Sequence, residues 1–538
     1  MLSRTIAKSQ TDISSYETAR VKLIRWGVVM IAIYAVYVLF FPLTPTVYRS
    51  DHILEIEQML RNGRKWFAPL YGIGLGLLFY AFWRIVNIVH TLSQENVQAA
   101  KALRAWVLGI GVLSGMLLLG LYPITALDVA LYVVRARLWA FYGGSPMLAV
   151  PADYPQDPYI GLSGEYAREV SPYGPGWELL AQIPIRLGLF DIGSGILAMK
   201  VISLLAYIGM AILIGWYARQ DKPHFKVSSL TAMAFFALNP LVLLEAIGNG
   251  HNDMVMLALM TLGLVLWQRD QWKWATLALT LATLIKITGL MLMPLFGIAV
   301  LVSAPNWRAR IVRGLTMAAI FVVTAGIAYR LTGPFPDVFL GAQHVMFNRW
   351  GYTPVYMLRV IGQALSPAGD VATSVVVNLS RGVFILYYAY LMVRLVQRKM
   401  TLIQAGFLAY FSLLLLGTTF RIWYPMWLIP FAALGLNSRT YWRTFLFNFL
   451  AEVSSLLYLV VWRWKLDTWD WGVNGPLAEY WTFWIIMSFL IAPWVFGIPL
   501  LGPMLLKWKD PERFENSLWL GKTRPQVSYS RSAGYNER

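Results

Sequence analysis

The chain has 538 residues, 58% of them hydrophobic and only 13% charged, a balance that excludes an ordinary soluble domain and points to a polytopic membrane protein. Its formal net charge of +18 is explained by Lys- and Arg-biased cytoplasmic loops rather than by nucleic-acid binding. With no cysteine present, structural disulfides, zinc–thiolate sites and iron–sulfur clusters are excluded.

A crossing helix needs about 20 apolar residues, fewer where it is broken or enclosed by protein. Runs of this kind fall at 23–41, 66–89, 105–123, 194–217, 229–247, 254–268, 275–286, 288–303, 313–331, 371–396, 402–419, 423–437, 443–462 and 479–506. They predict an all-α, polytopic transmembrane helix bundle of about 13–14 spans. The first run is longer than a signal-peptide core and lacks an A-x-A cleavage pattern, so it is read as an uncleaved span. Between 175 and 190, Pro184 and Arg186 favour a surface or re-entrant helix over a crossing. The basic segments then fall on one side, the cytoplasm: the N-terminus, "ARQDKPHFK", "PNWRARIVR", "RLVQRK", "NSRTYWR" and the tail. Tryptophans in "WQRDQWKW" and "VVWRWKLDTWDWG" read as interfacial anchors. No internal repeat is visible, which argues against an inverted-repeat transporter.

The irregular sequence gathers on the opposite, exterior side, in loops 124–193 and 332–370 and at the junction "GNGHND". Asp128 follows Pro123 and opens a helical-looking run in which Asp128, Tyr132, Arg135, Trp139 and Tyr142 share one face, with Arg137 on the other. A carboxylate at the membrane surface beside aromatics suits a general base, and an Asp at that point also suits a helix N-cap. "SPYGPGW", Ser171 to Trp177, is a rigid turn that either holds Tyr173 toward a sugar or phosphate or simply starts a helix.

In "LLEAIGNGHND", Gly248 and Gly250 interrupt the apolar run where Glu245, Asn249, His251, Asn252 and Asp253 occur. Broken helices carrying polar groups at membrane depth are tolerated where they line a cavity. His251 and Asp253 form a weak metal pair without a third ligand, whereas hydrogen bonding to sugar hydroxyls suits the Asn, Asp and His set better. Lys286 stands alone in "TLATLIKITGLMLMPLF", and Arg421 sits in "GTTFRIWYPMWLIPF". Each is an isolated cation that either snorkels to the interface or meets a lipid-linked phosphate.

Taken in order, Asp128 at the head of the external loop, the stretch from Tyr132 to Arg137, "SPYGP", "NPLVL…GNGHND", "K-x-T…P" and "WYPMWLIP" resemble a known family. It is the membrane-embedded GT-C glycosyltransferases, in particular the bacterial polyprenyl-phosphate-mannose-dependent alpha-mannosyltransferases. The similarity runs from about residue 105 to 437, and the combination of "SPYGP" with "NPL…GHND" is its most specific part. Ala136 replaces a frequent Gly, and Ser145-Pro146-Met147 stands where the family tends to have "NPY". Those departures bear on sugar and acceptor specificity.

The resemblance implies a catalytic core at 105–437, preceded by a cytoplasmic tail and two accessory spans in 1–104. C-terminal spans at 438–506 and a cytoplasmic tail at 507–538 follow it. It implies an inverting transfer of a hexose, mannose first, from a polyprenyl-phosphate sugar to a glycan or glycolipid hydroxyl outside the bacterial plasma membrane. Asp128 would be the general base, Lys286 would hold the donor phosphate, and Arg421, Arg135 and Arg137 are further phosphate candidates. Tyr132, Tyr173, Glu245, Asn249, His251, Asn252 and Asp253 would line the substrate pocket. No cofactor or metal is implied, because a monophosphate leaving group makes less demand on one and the chain has no D-x-D motif. The alternatives are a lipid-linked-sugar flippase or transporter, which would need polar groups near the bilayer midplane, and a non-catalytic envelope subunit.

Overall fold

The computed structural model describes residues 2–43, 67–125, 128–217, 228–334, 351–365, 369–457 and 476–509. Helices are the regular elements of the described residues, and the one pairing of extended backbone among them is a bridge between Pro42 and Leu121. The external loop expected at 332–370 lies partly outside this set, and "ARQDKPHFK", "VVWRWKLDTWDWG" and residues 510–538 lie wholly outside it.

Helices α1 (Leu2–Phe40) and α2 (Phe67–Glu95) pack on each other, and a short α3 (Val97–Ala102) leads into α4 (Arg104–Leu118). The long external segment folds into α5 (Asp128–Tyr142), two 3₁₀ turns and α6 (Pro175–Arg186). At twelve residues α6 is about 18 Å long, too short to cross about 30 Å of hydrocarbon. There follow α7 (Ile192–Ile212), α8 (Ser229–Ala237), a π-helical turn (Val242–Gly248), α9 (Asp253–Gln268), α10 (Trp272–Ile285) and α11 (Met293–Val302). The chain continues through α12 (Trp307–Thr332), α13 (Pro354–Leu365), α14 (Gly369–Val396), α15 (Leu402–Leu416), α16 (Ile429–Leu434), α17 (Ser438–Leu456) and α18 (Pro476–Lys509).

Seven of the described helices are long and apolar enough to cross a membrane, or eight if the bent pair Ser229–Ala237 and Val242–Gly248 forms one span. Multiple spans and the apolar composition make this an integral membrane protein. Several of the stretches in the sequence expectation of about 13–14 spans fold as shorter apolar helices: Asp253–Gln268, Trp272–Ile285, Ile287–Val302, Leu402–Leu416 and Tyr424–Leu434. Glycine, proline and polar residues break these runs. Asn239-Pro240 stops α8, since proline lacks the N–H a continuing helix needs, and the chain bends by 56° there. Nearly every residue from Leu230 to Met254 is buried, so the break is enclosed by protein.

Candidate active site

The segment entering α5 is positioned from two sides. Lys200, fully buried in α7, donates to the carbonyls of Leu118 and Leu119 at 3.3 and 3.4 Å and also to that of Leu121, placing its amine against the carbonyls at the C-terminal end of α4. Asn249 accepts from the backbone N–H groups of Ile124 (2.6 Å) and Thr125 (3.2 Å), while its amide donates to Leu244. The Thr125 hydroxyl donates to Glu245 at 2.8–2.9 Å. Asp128 follows as the first residue of α5, where a carboxylate faces the positive end of the helix dipole.

Gly250 brings the broken helix up to this point. Its φ is +74°, and a Cβ there would lie 2.9 Å from Val129 and 3.2 Å from Lys200, so only glycine allows the approach. The next residue, His251, is fully buried with Nδ1 3.6 Å from Asp128 and Nε2 3.3 Å from Glu245. Neither contact is aligned as a hydrogen bond. Trp423 stacks on the imidazole, with ring centroids 3.8 Å apart and 24° between planes. The Asp128 side chain keeps 21% of its surface exposed while Glu245 and His251 have none, so Asp128 is the member that an incoming molecule can reach.

Asn252 precedes α9 in the position of an N-cap, a role asparagine fills well, yet its backbone is helical and its side chain accepts no capping bond. Both of its amide atoms are buried without a hydrogen-bond partner. Such a group is costly to leave unmatched.

Lys286 is not isolated, as its sequence setting suggested. It ends α10 in extended conformation, and its ammonium donates to both oxygens of Asp253 at 2.8 and 3.0 Å. Trp427 donates to the same carboxylate at 2.6 Å. The rings of Tyr173, Tyr424 and Trp427 surround the ammonium at 5.6–5.8 Å. An ammonium has three N–H donors, and Asp253 engages two of them.

Tyr173 reaches this place because Gly174 docks backbone to backbone. Its N–H donates to the Ile285 carbonyl at 3.1 Å, and a Cβ would collide with the Leu284 carbonyl oxygen at 2.1 Å. The turn is locked by Ser171, which donates to Glu178 at 2.5 Å and accepts from the Tyr173 N–H. Burial pushes the Glu178 carboxyl above its ordinary range, opposed by the Arg135 guanidinium and the Ser171 hydroxyl. Tyr132 packs edge-on against Tyr173 and Trp177.

The two loop arginines are engaged elsewhere. Arg135 donates to the carbonyls of Glu169 and Val170, bracing the approach to the Ser171–Tyr173 turn. Arg137 donates to Asp157 at 2.9 Å and to the Phe190 carbonyl, with the rings of Phe141 and Tyr159 over it. Its contacts are thus with the loop and not with the cluster around Asp128 and Lys286. Arg421 is half-buried and within electrostatic reach of Tyr424.

The structure therefore gathers Asp128, Tyr132, Tyr173, Glu245, Asn249, His251, Asn252, Asp253 and Lys286 at one place, with Arg421 at its edge. Sequence reasoning did not select Thr125, Glu178, Lys200, Trp423, Tyr424 or Trp427 as site residues. A lysine inside an otherwise apolar helix was the available signal for Lys200, and the spacing of Tyr424 and Trp427, one face of a tight helical turn with Trp423 just ahead of it, was the signal for the aromatic wall. Among the described residues, no three His, Asp or Glu side chains form a group able to hold a metal ion.

The fold and the cluster define an integral membrane protein whose polar groups gather in one enclosed place. The model of one family, described as "Alpha-(1->6)-mannopyranosyltransferase, N-terminal domain", matches residues 25–302, just over half of the chain, and the chain belongs to that family. Alpha-(1->6)-mannopyranosyltransferase A of Mycobacterium tuberculosis is 26% identical over 265 residues, 49% of this chain and 48% of that protein. Alpha-(1->6)-mannopyranosyltransferase B of Corynebacterium glutamicum is 26% identical over 298 residues, 48% of this chain and 46% of that protein. The match thus spans about half the length of these curated relatives. No solved structure matches the chain.

Proposed function

We propose that this protein transfers mannose from a polyprenyl-phosphate donor to a hydroxyl of a glycan or glycolipid at the extracytoplasmic face of a bacterial plasma membrane. The reading rests on one observation above the others. Asp128, the solvent-reachable carboxylate, shares a site with the buried Lys286 ammonium and the unmatched amide of Asn252. Family membership and the relatives' printed names support mannose and an α-(1→6) linkage.

In the proposed step, Asp128 takes the proton from the acceptor hydroxyl as that oxygen attacks the anomeric carbon. The bond from that carbon to the phosphate oxygen breaks, with inversion and no enzyme-bound sugar. Lys286, with Arg421 nearby, stabilises the phosphate that leaves with its lipid. Glu245 and His251 lie behind Asp128. His251 stands between the two carboxylates, 3.6 Å from Asp128 and 3.3 Å from Glu245, so its part is to position the base. Asn252 offers a donor and an acceptor to sugar hydroxyls. The donor carries its own membrane anchor and reaches such a site by lateral diffusion.

The test is reconstitution in nanodiscs with a polyprenyl-phosphate mannose and an α-mannoside acceptor. Asp128→Asn should cut transfer by about 10²–10⁴-fold while leaving donor binding in place. Undiminished transfer by that variant would remove Asp128 from the role of base.

A further inference from the structure

We propose that an open groove at the far end of α5 is a subsite for the acceptor's saccharide chain, remote from the site of transfer; it rests on the transferase reading and adds to it a second point of acceptor recognition. Among the described residues, this open groove offers about 600 Å³ between the C-terminal end of α5, the loop that follows it and the end of α12. Trp139, Ser145, Asp153 and Arg330 supply its side-chain chemistry, and Gly143 and Gly144 expose backbone along one wall. None of the residues of the candidate active site lines it.

Three features fit a sugar chain. Trp139 lies eleven residues after Asp128, a rotation that returns it to nearly the same helical face and a rise of about 16 Å along the axis. That is the span of several hexose units, so a chain whose end hydroxyl meets Asp128 can lay an inner unit in the groove. An indole beside a carboxylate and a guanidinium is suited to a pyranose, which presents an apolar face for stacking and hydroxyls that both donate and accept. The groove also carries one negative and one positive side chain, Asp153 and Arg330, so it offers no net attraction to a phosphate or a lipid anion.

Its walls are held before any ligand arrives. The Ser145 hydroxyl donates to the Thr332 carbonyl at 2.5 Å and clips the loop to the end of α12. Asp153 accepts from the Val150 N–H at 3.1 Å, which fixes the carboxylate while its other oxygen stays open. Tyr154 packs against Gly144 and against the ring of Tyr142, with centroids 5.5 Å apart. A preformed groove loses less ordering entropy on binding than a loop that must first fold around its ligand.

The experiment compares α-(1→6)-linked mannose acceptors of two lengths, a disaccharide and a hexasaccharide, using the full chain in nanodiscs with polyprenyl-phosphate mannose. The ratio of kcat/KM for the hexasaccharide to that for the disaccharide should fall about tenfold in Trp139→Ala, from the loss of one aromatic contact. Arg330→Gln, an exposed change that leaves the fold intact, should lower it several-fold. A ratio equal to wild type in both variants overturns the subsite. Saturation-transfer NMR on the hexasaccharide gives a readout without turnover, with signal from inner units in wild type and a loss of that signal in Trp139→Ala. If wild type transfers mannose to neither acceptor, the transferase reading fails; absence of saturation transfer in wild type overturns the subsite on its own terms.

Discussion

The broken stretch from α8 to α9 and the unbroken α12 and α14 are equally apolar in outline but opposite in surroundings. Between Leu230 and Met254 nearly every side chain is buried, including Glu245, Asn249, His251, Asn252 and Asp253. In α12 and α14 only 6% of the most apolar stretch is buried, and residues such as Val323, Leu379 and Leu386 stand well exposed. A lipid-facing helix must satisfy its backbone internally and carry little charge at membrane depth. A helix enclosed by other helices can break, because protein groups take up the freed backbone partners. The polar groups are therefore concentrated where the chain is most deeply surrounded, and α12 and α14 present apolar faces that no described residue covers.

The largest expected effect probes the seal of the enclosed region. Asp253→Asn leaves the Lys286 ammonium without its charge partner among three aromatic rings. Removing one member of a buried pair costs about 3–5 kcal/mol, seen as a marked fall in thermal unfolding temperature in detergent. Adding Lys286→Met to Asp253→Asn should return most of that stability without returning activity. A loss below about 1 kcal/mol in the single variant would mean that water solvates the pair, as at a surface ion pair, and the contrast between the two regions would break at its centre.

How far this contrast was legible in the sequence depended on the range of the interaction. Lys286 and "GNGHND" stand out because charge and amide groups interrupt apolar runs within a few residues. Asp128 as the start of a helix was legible from Pro123 and the apolar periodicity that follows. Hidden from sequence was the pairing of Asp253 with Lys286 and Trp427, which lie 33 and 174 residues away. The partners of Lys200 were hidden for a related reason: they are main-chain carbonyls about 80 residues back, and carbonyls leave no mark in a sequence. Which apolar runs form long helices and which form short, enclosed ones was not legible, because an apolar run enclosed by protein and one facing lipid have the same hydropathy, and only length and breaks separate them.

A smaller effect sharpens the link between the break and α5. Asn249→Ala leaves the N–H groups of Ile124 and Thr125 without their side-chain acceptor just ahead of Asp128. A buried donor left unmatched costs about 1–3 kcal/mol. The expected result is a moderate loss of stability together with a fall in kcat that exceeds any change in donor binding. A stability loss with wild-type kcat would mean that this segment does not set the position of the base.

Smaller again is the change at the head of α7, whose most apolar stretch is 44% buried and so stands between the two extremes. Asp191 caps this helix, accepting from the Ser194 N–H at 2.9 Å and from its hydroxyl at 2.5 Å. The Ser194 hydroxyl first, and then its N–H, hold the Asp191 carboxyl below the usual carboxylate range. A carboxyl depressed in the folded state contributes stability above its unfolded pKa, and that contribution is lost as pH falls through the folded value. Asp191→Ala should therefore cost about 1 kcal/mol at neutral pH. The gap from wild type should close as pH drops below about 4. A gap that widens on acidification would reverse the sign and show that the cap acts through something other than the ionised carboxylate.

The smallest effect tests the lipid-facing half directly. Val323 is 59% exposed on α12, where nothing among the described residues covers it. Shortening it to alanine removes apolar surface that exchanges protein contact for no protein contact at all, since lipid tails solvate either side chain. The stability change in a bilayer should stay within about 0.5 kcal/mol, as for substitutions that touch no packed neighbour. A loss of more than about 1 kcal/mol would mean that this face is packed against protein in the membrane. α12 would then belong with the enclosed region, and the division between a buried reactive core and a lipid-facing sleeve would have to be redrawn around an assembly.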